Sequence, residues 1–219
     1  MADGVKRRYD STRRSQQAQE NRRRILTAAQ DLFVDQGYGA TTMTEVAEAA
    51  GVAVETVYGA FRNKLTLLRR AWDLAVGGDE EDVHLLERPE LRAVFDEPDL
   101  AARWTRFAAV NTAIMRRTAR LRRAVQGAAG GDPAAAEFLA EIDRARLEAM
   151  GAHVRAAAAT GALAVPEDEC RDVLFATTDG TLWLTLVGGR GWSDERYATW
   201  LARLWTAMLM TPGDPPPAA

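Results

Sequence analysis

The 219-residue sequence is poor in the residues that build disulfides and metal centres. Its single cysteine, Cys170, excludes an internal disulfide framework and a cysteine-rich zinc site. Its two histidines, His84 and His153, are too few for a histidine-rich metal centre. We therefore expect neither a metal nor a cofactor.

Long apolar runs are absent as well. No stretch approaches the roughly 18 apolar residues that a membrane span requires. The polar, arginine-rich segment 1–19 is not expected to act as a secretory signal, because it contains no apolar run. With 47% hydrophobic and 27% charged residues, the composition is typical of a well-cored globular protein. We expect a soluble, cytoplasmic protein with no membrane partner.

Charge is distributed unevenly along the chain. Residues 1–70 contain 12 Lys/Arg and 8 Asp/Glu, a net charge of +4, whereas residues 71–219 carry a net charge of −7. A basic first third indicates a module that faces a polyanion. We interpret the basic segment 6–24 as an arm that contacts DNA, and its alternative interpretation is a disordered solubilising tail.

Apolar residues recur with helical spacing along most of the chain, and no sustained strand-like alternation is found. The pattern predicts an all-α fold with about nine helices. The helices are expected at about 21–36, 43–50, 52–61, 64–76, in short elements around 89–98, and at 99–126, 133–161, 166–187 and 193–211.

Local signals mark several helix ends. Thr42, followed three residues later by Glu45, forms a capping box and predicts a helix start at Met43. Gly51 is expected to end that helix, since glycine tolerates a left-handed backbone. Asp132 before Pro133 and, later, Ser193 before two acidic residues predict two further helix starts.

Two short helices joined by a tight turn with a glycine form a helix-turn-helix unit, whose second helix can enter the major groove of DNA. Ala47 is small where the two helices must cross, and Gly51 lies four residues later, in the turn. Val46, Val52 and Val57 are apolar where such a motif needs its core.

A longer set of residues has a combined spacing that is very specific. The set is Arg24, Ile25, Leu26, Ala28, Ala29, Leu32, Phe33, Gly37, Tyr38, Thr41, Thr42, Val46, Ala47, Ala50, Gly51, Val52, Val57, Tyr58, Phe61, Lys64, Leu67 and Leu68. Over about residues 20–72 the chain thereby resembles the DNA-binding domain of the TetR family of tetracycline-repressor-like transcriptional regulators. The remainder resembles that family only in being an all-helical bundle of the right length.

The resemblance implies four segments. They are a flexible basic arm (1–20), a three-helix helix-turn-helix DNA-binding domain (21–76), a helical effector-binding and dimerisation domain (77–211) and a disordered tail (212–219). The helix from Lys64 to about Val76 would join the two domains and act as a lever between them.

The resemblance also implies which residues contact double-stranded DNA. The helix from Val54 to Ala60 would be the recognition helix. The expected DNA contacts are Arg22, Thr42, Thr44, Ala53, Val54, Glu55, Thr56, Tyr58 and Lys64. Thr42, Tyr58 and Lys64 would bind phosphates, and residues 53–56 would face base edges. The alternatives are a core position for Tyr58, capping alone for Thr42, and a solvated Glu55.

The chain departs from the family pattern at two positions. Ala53 stands where the family usually has Ser or Thr, and Ala60 where it usually has His. The recognition helix also contains no arginine or lysine, so Arg13, Arg14, Arg22 or Arg23 are expected to supply the electrostatic contacts. We expect a binder that depends unusually on its arm.

A homodimer is the expected assembly, because two recognition helices can then reach successive grooves of a pseudo-palindrome. The residues expected at the dimer interface are Leu182, Trp200, Leu201, Leu204, Trp205 and Met208. The alternative is that these residues close only the chain's own core.

A small-molecule cavity inside the second domain is implied by the resemblance. The residues expected to bind the ligand are Trp104, Phe107, Asn111, Met115, Phe138, Ile142, Phe175, Thr178, Asp179 and Trp183. A buried Asp179 would favour a cationic or hydroxyl-bearing effector. The expected function is a repressor that its effector releases from DNA, and the alternative is a repressor or activator without an effector.

An enzyme is the remaining rival class. Cys170 lies among Glu167, Asp168, Glu169 and Asp172, whose charges are expected to raise the thiol pKa and oppose a nucleophilic thiolate. No nucleophile elbow, phosphate loop or paired-histidine motif is found. We therefore expect a protein that is not an enzyme.

Overall fold

The computed structural model of the chain describes residues 3–79 and 85–211, with side chains from residue 16 onward. All regular elements in these ranges are helical. The helices are α1 (Asp3–Asp35), α2 (Gly37–Ala40), α3 (Met43–Ala50), α4 (Val54–Phe61), α5 (Lys64–Gly77), α6 (Pro89–Phe95), α7 (Leu100–Ala129), α8 (Pro133–Ala158), α9 (Glu167–Thr177), α10 (Thr181–Trp183) and α11 (Asp194–Leu209). A 3₁₀ turn precedes α6 at Leu85–Glu87, and a π-helical turn follows α10 at Leu184–Gly188.

The predicted all-α class is confirmed for the described residues, but the number of helices is eleven rather than about nine. One additional helix is α2, which is too short to show a periodic pattern. The other arises because the helix expected over 166–187 breaks at Gly180, whose φ of +90° lies in the left-handed region. The helix expected over 99–126 is present as α7, which runs without interruption.

Residues 3–20 continue α1 without a break, where the sequence predicts a flexible arm. The segment from Val5 to Gln36 contains no glycine or proline, and most of its residues favour helices. The side chains of Arg13 and Arg14 lie outside the described part of the chain. The same holds for His84, for the acidic residues 80–82 and for the predicted tail 212–219.

The chain forms two compact units. Of the described residues, the first unit comprises those up to Leu74 together with 123–138, and the second comprises 75–79, 85–122 and 139–211. The join between 74 and 75 lies near the predicted boundary at 76, whereas the inclusion of 123–138 in the first unit has no counterpart in the sequence-based prediction.

The first unit has a small apolar core built from the inward faces of α1, α3, α4 and α5. Its buried residues include Ile25, Leu26, Ala29, Phe33, Val46, Ala47, Val57, Phe61, Leu67 and Leu68. Ala47 is 2% exposed, as a close crossing of two helices requires. The core fixes α3 and α4 as one rigid pair.

The second unit has a larger core with a chain of aromatic rings at its centre. The ring of His153 stacks on Phe107 at 3.8 Å and on Phe95 at 4.6 Å between centroids. Phe107 in turn stacks on Trp205, which meets Trp104 edge to face.

None of the described helices combines the length and the apolar character that a membrane span requires.

Candidate nucleic-acid interface

The start of α3 is held by the capping box that the sequence predicts. Thr42 Oγ1 accepts a hydrogen bond from the Glu45 backbone N–H at 3.2 Å, and Glu45 Oε2 accepts one from the Thr42 N–H at 2.8 Å. The Thr42 hydroxyl also donates to Glu45 Oε2, at 2.9 Å, and the two hydrogen bonds that this carboxylate accepts from Thr42 lower its pKa, the bond from the Thr42 backbone contributing most. Since both Thr42 donors are occupied, the N–H groups one and two residues later, on Met43 and exposed Thr44, are the ones left to meet a phosphate.

The turn between α3 and α4 needs a left-handed residue, and Gly51 supplies it with φ +62°. The turn is closed from outside by Arg24 on α1, whose Nη2 donates to the carbonyl oxygens of Ala50 and Gly51. This cap joins residues 26 positions apart in sequence. The sequence does not reveal this contact, because periodicity places Arg24 on a helix face and gives no information on which distant groups its side chain reaches.

Helix α4 presents one buried and one exposed face. Val57 and Phe61 are buried and anchor the helix to the core. Glu55, Thr56, Tyr58, Gly59 and Ala60 are exposed. Tyr58 is 51% exposed, so its hydroxyl is open to a partner and the alternative of a core position is wrong. Ala53 occupies the N-cap of α4 and, as its sequence implies, makes no side-chain cap.

Lys64 does not offer its ammonium to a phosphate. Its Nζ donates to three carbonyl oxygens, those of Tyr38 at 2.7 Å, Thr41 at 2.9 Å and Gly39 at 3.3 Å, and lies 4.4 Å from the centre of the Tyr38 ring. An ammonium has three donors, so these acceptors use them all. The expectation that the Lys64 side chain binds phosphate is corrected accordingly, since Lys64 ties α5 to the end of α2.

The basic residues around α4 differ in what they can reach. Arg22 lies over the Phe61 ring at 4.9 Å and packs against the core of the first unit. Arg23 is exposed on α1. Arg62 is exposed immediately after α4 and has a positive φ of 57°, which is rare for a residue other than glycine. Arg62 was not among the expected DNA contacts, because it lies just beyond the predicted recognition helix.

The residues expected to bind a small molecule do not form one group. Trp104, Phe107, Asn111, Met115, Ile142, Thr178 and Trp183 are buried in the second unit. Phe138 belongs to the first unit, where the Arg69 guanidinium lies 4.5 Å from its ring centre, so its assignment to a cavity in the second unit is wrong. Phe175 is partly buried beneath the guanidinium of Arg146.

Asp179 is not the buried, unpaired acid that would point to a cationic effector. It is half-buried, and its carboxylate accepts hydrogen bonds from the N–H and the hydroxyl of Thr181, both at 2.8 Å. This bonding fixes the break at Gly180. Asn111 behaves differently, since it is 4% exposed and its Nδ2 has no hydrogen-bond partner among the described residues.

A cleft of about 400 Å³ lies elsewhere in the second unit, and none of the ten expected ligand-binding residues lines it. Its apolar walls include Leu91, Val110 and Ile114, and its polar rim includes Arg88 and Arg117. Arg117 donates to the carbonyl oxygens of Ala75 and Val76 at the end of α5.

The expected dimer interface separates into two groups. Leu201 and Trp205 are fully buried in the core of their own unit, and Trp205 Nε1 donates to Thr177 Oγ1 at 2.9 Å. These two residues cannot present a surface to a second copy, so their assignment is wrong. The remaining four, Leu182, Trp200, Leu204 and Met208, are partly or largely exposed, and Met208 is 49% exposed.

Catalysis by Cys170 is physically disfavoured. The side chain is buried, and burial together with the charge of Glu167 raises the pKa of its thiol to about 11. No cluster of three or more His, Cys, Asp or Glu residues suited to a metal ion is found in the described ranges.

Comparison with known proteins agrees with this geometry. Residues 25–71 match the family model for bacterial regulatory proteins of the tetR family. The chain is 42% identical over 60 residues to the HTH-type transcriptional regulator AcrR of Shigella flexneri, covering 27% of this chain and 28% of that protein. It is 36% identical over 101 residues to the HTH-type transcriptional activator FasR of Mycolicibacterium smegmatis, covering 42% of this chain and 46% of that protein. The chain thus matches between about a quarter and a half of the length of these curated relatives.

A solved structure extends the likeness to almost the whole fold. A putative transcriptional regulator from Saccharomonospora viridis, determined in complex with choline, superimposes with a TM-score of 0.66 at 20% sequence identity. The alignment covers 88% of this chain and 99% of that one. At this level of identity the likeness concerns the fold alone.

Proposed function

Since this chain belongs to the TetR family through its helix-turn-helix domain, we propose that it is a sequence-specific DNA-binding regulator of transcription that acts in the cytoplasm. The observation that carries the proposal is the two-faced helix α4. Its Val57 and Phe61 are locked into the core, while Tyr58 and its neighbours are open on the other face. A rigid helix with one free face is what groove recognition needs.

The contacts to DNA follow from which groups remain free. Backbone N–H groups at the start of α3 and the Tyr58 hydroxyl bind phosphates on either side of the groove. Ala53, Val54, Glu55 and Thr56 face the base edges, where Val54 packs on a thymine methyl and Glu55 accepts from a cytosine amine. Exposed Arg23 and Arg62 supply positive charge that α4 itself lacks.

Two copies of the chain bind together. A single helix-turn-helix domain buries little surface on DNA, whereas a dimer places two recognition helices about 34 Å or a multiple of it apart. Trp200, Leu204 and Met208 on α11, with Leu182 from α10, offer partly exposed apolar surface for this purpose.

A small molecule that binds the second unit releases the protein from DNA. The release requires a differential affinity for two conformations, with a coupling free energy of about 1–3 kcal/mol. The choline complex of the Saccharomonospora viridis protein supports effector binding by this fold. The relative FasR is named as a transcriptional activator, which favours the alternative that this chain activates transcription.

Selection of binding sites from a random DNA pool by the purified protein tests the proposal. We expect enrichment of a pseudo-palindrome whose half-sites are separated by about one helical turn or a multiple of it. A pool without an enriched motif would contradict DNA recognition. An enriched single half-site would retain the recognition helix and contradict the dimer.

Removal of residues 1–19 tests the predicted dependence on the arm. If the arm neutralises Z phosphates, its loss reduces the slope of log affinity against log salt by about 0.9Z. We expect the truncated protein to bind the selected duplex at least tenfold more weakly at low salt. An unchanged affinity would contradict the arm's role and leave the role of α4 intact.

A further inference from the structure

The second unit contains two arginines that share one carboxylate. Neither arginine is among the residues expected to bind the effector. Arg122 on α7 and Arg146 on α8 both form an ion pair with Asp143 Oδ1, at 2.9 and 2.8 Å. Because both guanidinium groups bind the same oxygen, they lie side by side. Two positive charges therefore face one negative charge at this point.

The arginine pair is buried more deeply than its acid. The side chains of Arg122 and Arg146 are 8% and 15% exposed, whereas that of Asp143 is 35% exposed. Burying a guanidinium group is costly unless its N–H groups find acceptors. Burial and the neighbouring charge of Arg122 lower the pKa of Arg146, burial contributing most.

Several N–H groups of the pair have no acceptor within the described structure. These groups are Nε and Nη1 of Arg122 and Nε of Arg146, all of them buried. Buried donors without acceptors are uncommon in folded proteins, and each one calls for a physical explanation. Nε and Nη1 of Arg122 belong to a side chain that is more than nine-tenths buried.

The other charged group near the pair does not supply the missing acceptor. Asp179 interacts with Arg146 electrostatically, but its carboxylate oxygens bind the N–H and hydroxyl of Thr181. The second fixed contact of Arg146 is the carbonyl oxygen of Phe175, at 2.6 Å. The pair therefore keeps surplus N–H donors, although Asp143 and Asp179 together balance its charge.

We propose that Arg122 and Arg146 form a buried site for the acidic group, a carboxylate or phosphate, of an otherwise apolar small molecule. Oxyanions are the groups that satisfy paired guanidinium donors best. The apolar part follows from Phe175, whose ring lies 4.4 Å beneath Arg146 and packs against the hydrophobic core of the unit. This inference rests on the proposed function, since it gives the chemical class of the proposed effector.

Calorimetric titration of the full chain, without DNA, tests the site with decanoate, decyl phosphate and uncharged decanol as probes. We expect at least one of the two anions to bind at least tenfold more tightly than decanol. Decanoate binding more tightly than decyl phosphate would identify a carboxylate effector, and the reverse order a phosphate. Equal affinities for all three probes, or no binding of any, would overturn the proposal.

Two arginine variants locate the binding. Arg122→Met should weaken binding of the preferred anion at least tenfold and leave decanol unchanged. Arg120→Met, at an exposed position on the same helix, is the matched control and should bind like the wild type. Retained anion binding by Arg122→Met would overturn the proposal.

A third variant gives the opposite sign and decides the case if Arg122→Met fails to fold. Asp143→Asn removes the carboxylate that competes with the ligand, so we expect anion affinity to rise several-fold. A purely structural ion-pair cluster would give equal or weaker binding.

A separate measurement adds the bound anion to the protein–DNA complex. Failure of the anion to release DNA would contradict the proposed effector mechanism and not the site.

Discussion

The two units differ in how their polar groups are satisfied. In the first unit, Arg24 binds carbonyl oxygens at the end of α3 and Lys64 binds carbonyl oxygens at the end of α2, so these two helix ends are closed by side chains of the same unit. In the second unit, buried polar atoms of Trp104, Asn111 and Tyr197 have no partner among the described residues. Among the described residues, buried side-chain polar atoms without a partner are found only in the second unit, which thus keeps hydrogen-bonding capacity inside its core.

This difference suits the two tasks that we propose. A DNA-binding surface must hold its shape before the partner arrives, because every degree of freedom lost on binding reduces affinity. An effector site must offer groups that are better satisfied with the ligand than without it.

The largest expected effect concerns His153 in the second core. Burial and the nearby charge of Arg103 lower its pKa to about 3 in the folded protein, whereas the unfolded chain takes up the proton near the ordinary value of about 6.5. Between pH 6 and 4 the unfolded state therefore binds more protons, and stability falls as pH falls, by about 1.4 kcal/mol for each pH unit. Urea unfolding over this range measures the slope. The variant His153→Phe should show a shallower slope, and identical slopes would contradict a neutral buried histidine.

The next effect concerns Lys64 in the first unit. The variant Lys64→Met leaves three carbonyl groups without their donor, and we expect the free energy of unfolding to fall by about 2–3 kcal/mol. Thermal and urea unfolding check this value, with Arg23→Met as an exposed control of similar charge change. If Lys64→Met instead left stability unchanged and reduced the slope of log DNA affinity against log salt by about 0.9, the value for one phosphate, Lys64 would be a DNA contact after all.

Two glycines in the helix-turn-helix provide a matched pair. Gly51→Ala places a Cβ in a left-handed conformation and 2.7 Å from Arg24 Nη2, so we expect a loss of about 2 kcal/mol. Gly59→Ala lies inside α4, where a Cβ would meet nothing within 4 Å, and should stabilise by about 0.5–1 kcal/mol. Changes in the free energy of unfolding that have opposite signs for the two variants would support the assigned turn. Equal changes in both variants would contradict it.

The smallest effect concerns the N-cap of α4. Ala53 has the extended backbone of an N-cap, with φ −67° and ψ 145°, but no side-chain acceptor. Ala53→Ser should add a hydrogen bond to the first turn of α4 and raise the free energy of unfolding by about 1 kcal/mol. A change below a few tenths of a kcal/mol would show that the first turn is already satisfied.

Local signals predicted several helix ends of both units well. The capping box at Thr42 and Glu45, the left-handed Gly51 and the cap at Ser193 are all confirmed, because each depends on residues within a few positions. The same holds for Asp132, whose Oδ1 accepts the N–H of Ala134 at 2.9 Å. Such motifs are decided by local backbone geometry and can be recognised in sequence alone.

Contacts between distant residues were the ones that sequence could not predict. An apolar stripe on α11 shows that Leu201 and Trp205 are buried, but not whether a second copy or their own core buries them. Sequence also does not tell which distant groups an arginine side chain contacts. For this reason neither the cap by Arg24 nor the cluster of Arg122 and Arg146 was expected. Asp179 was misjudged because its acceptor role depends on the break at Gly180.

The most direct test of the central claim is the affinity of Tyr58→Ala for the selected DNA duplex, measured by fluorescence anisotropy. Tyr58 is 51% exposed, so its truncation should leave the unfolding midpoint nearly unchanged, and Leu147→Ala on α8, at 39% exposure, is the matched control. We expect Tyr58→Ala to bind at least tenfold more weakly than the wild type and the control to bind equally well. Wild-type affinity in Tyr58→Ala would contradict the assignment of this face of α4 to DNA.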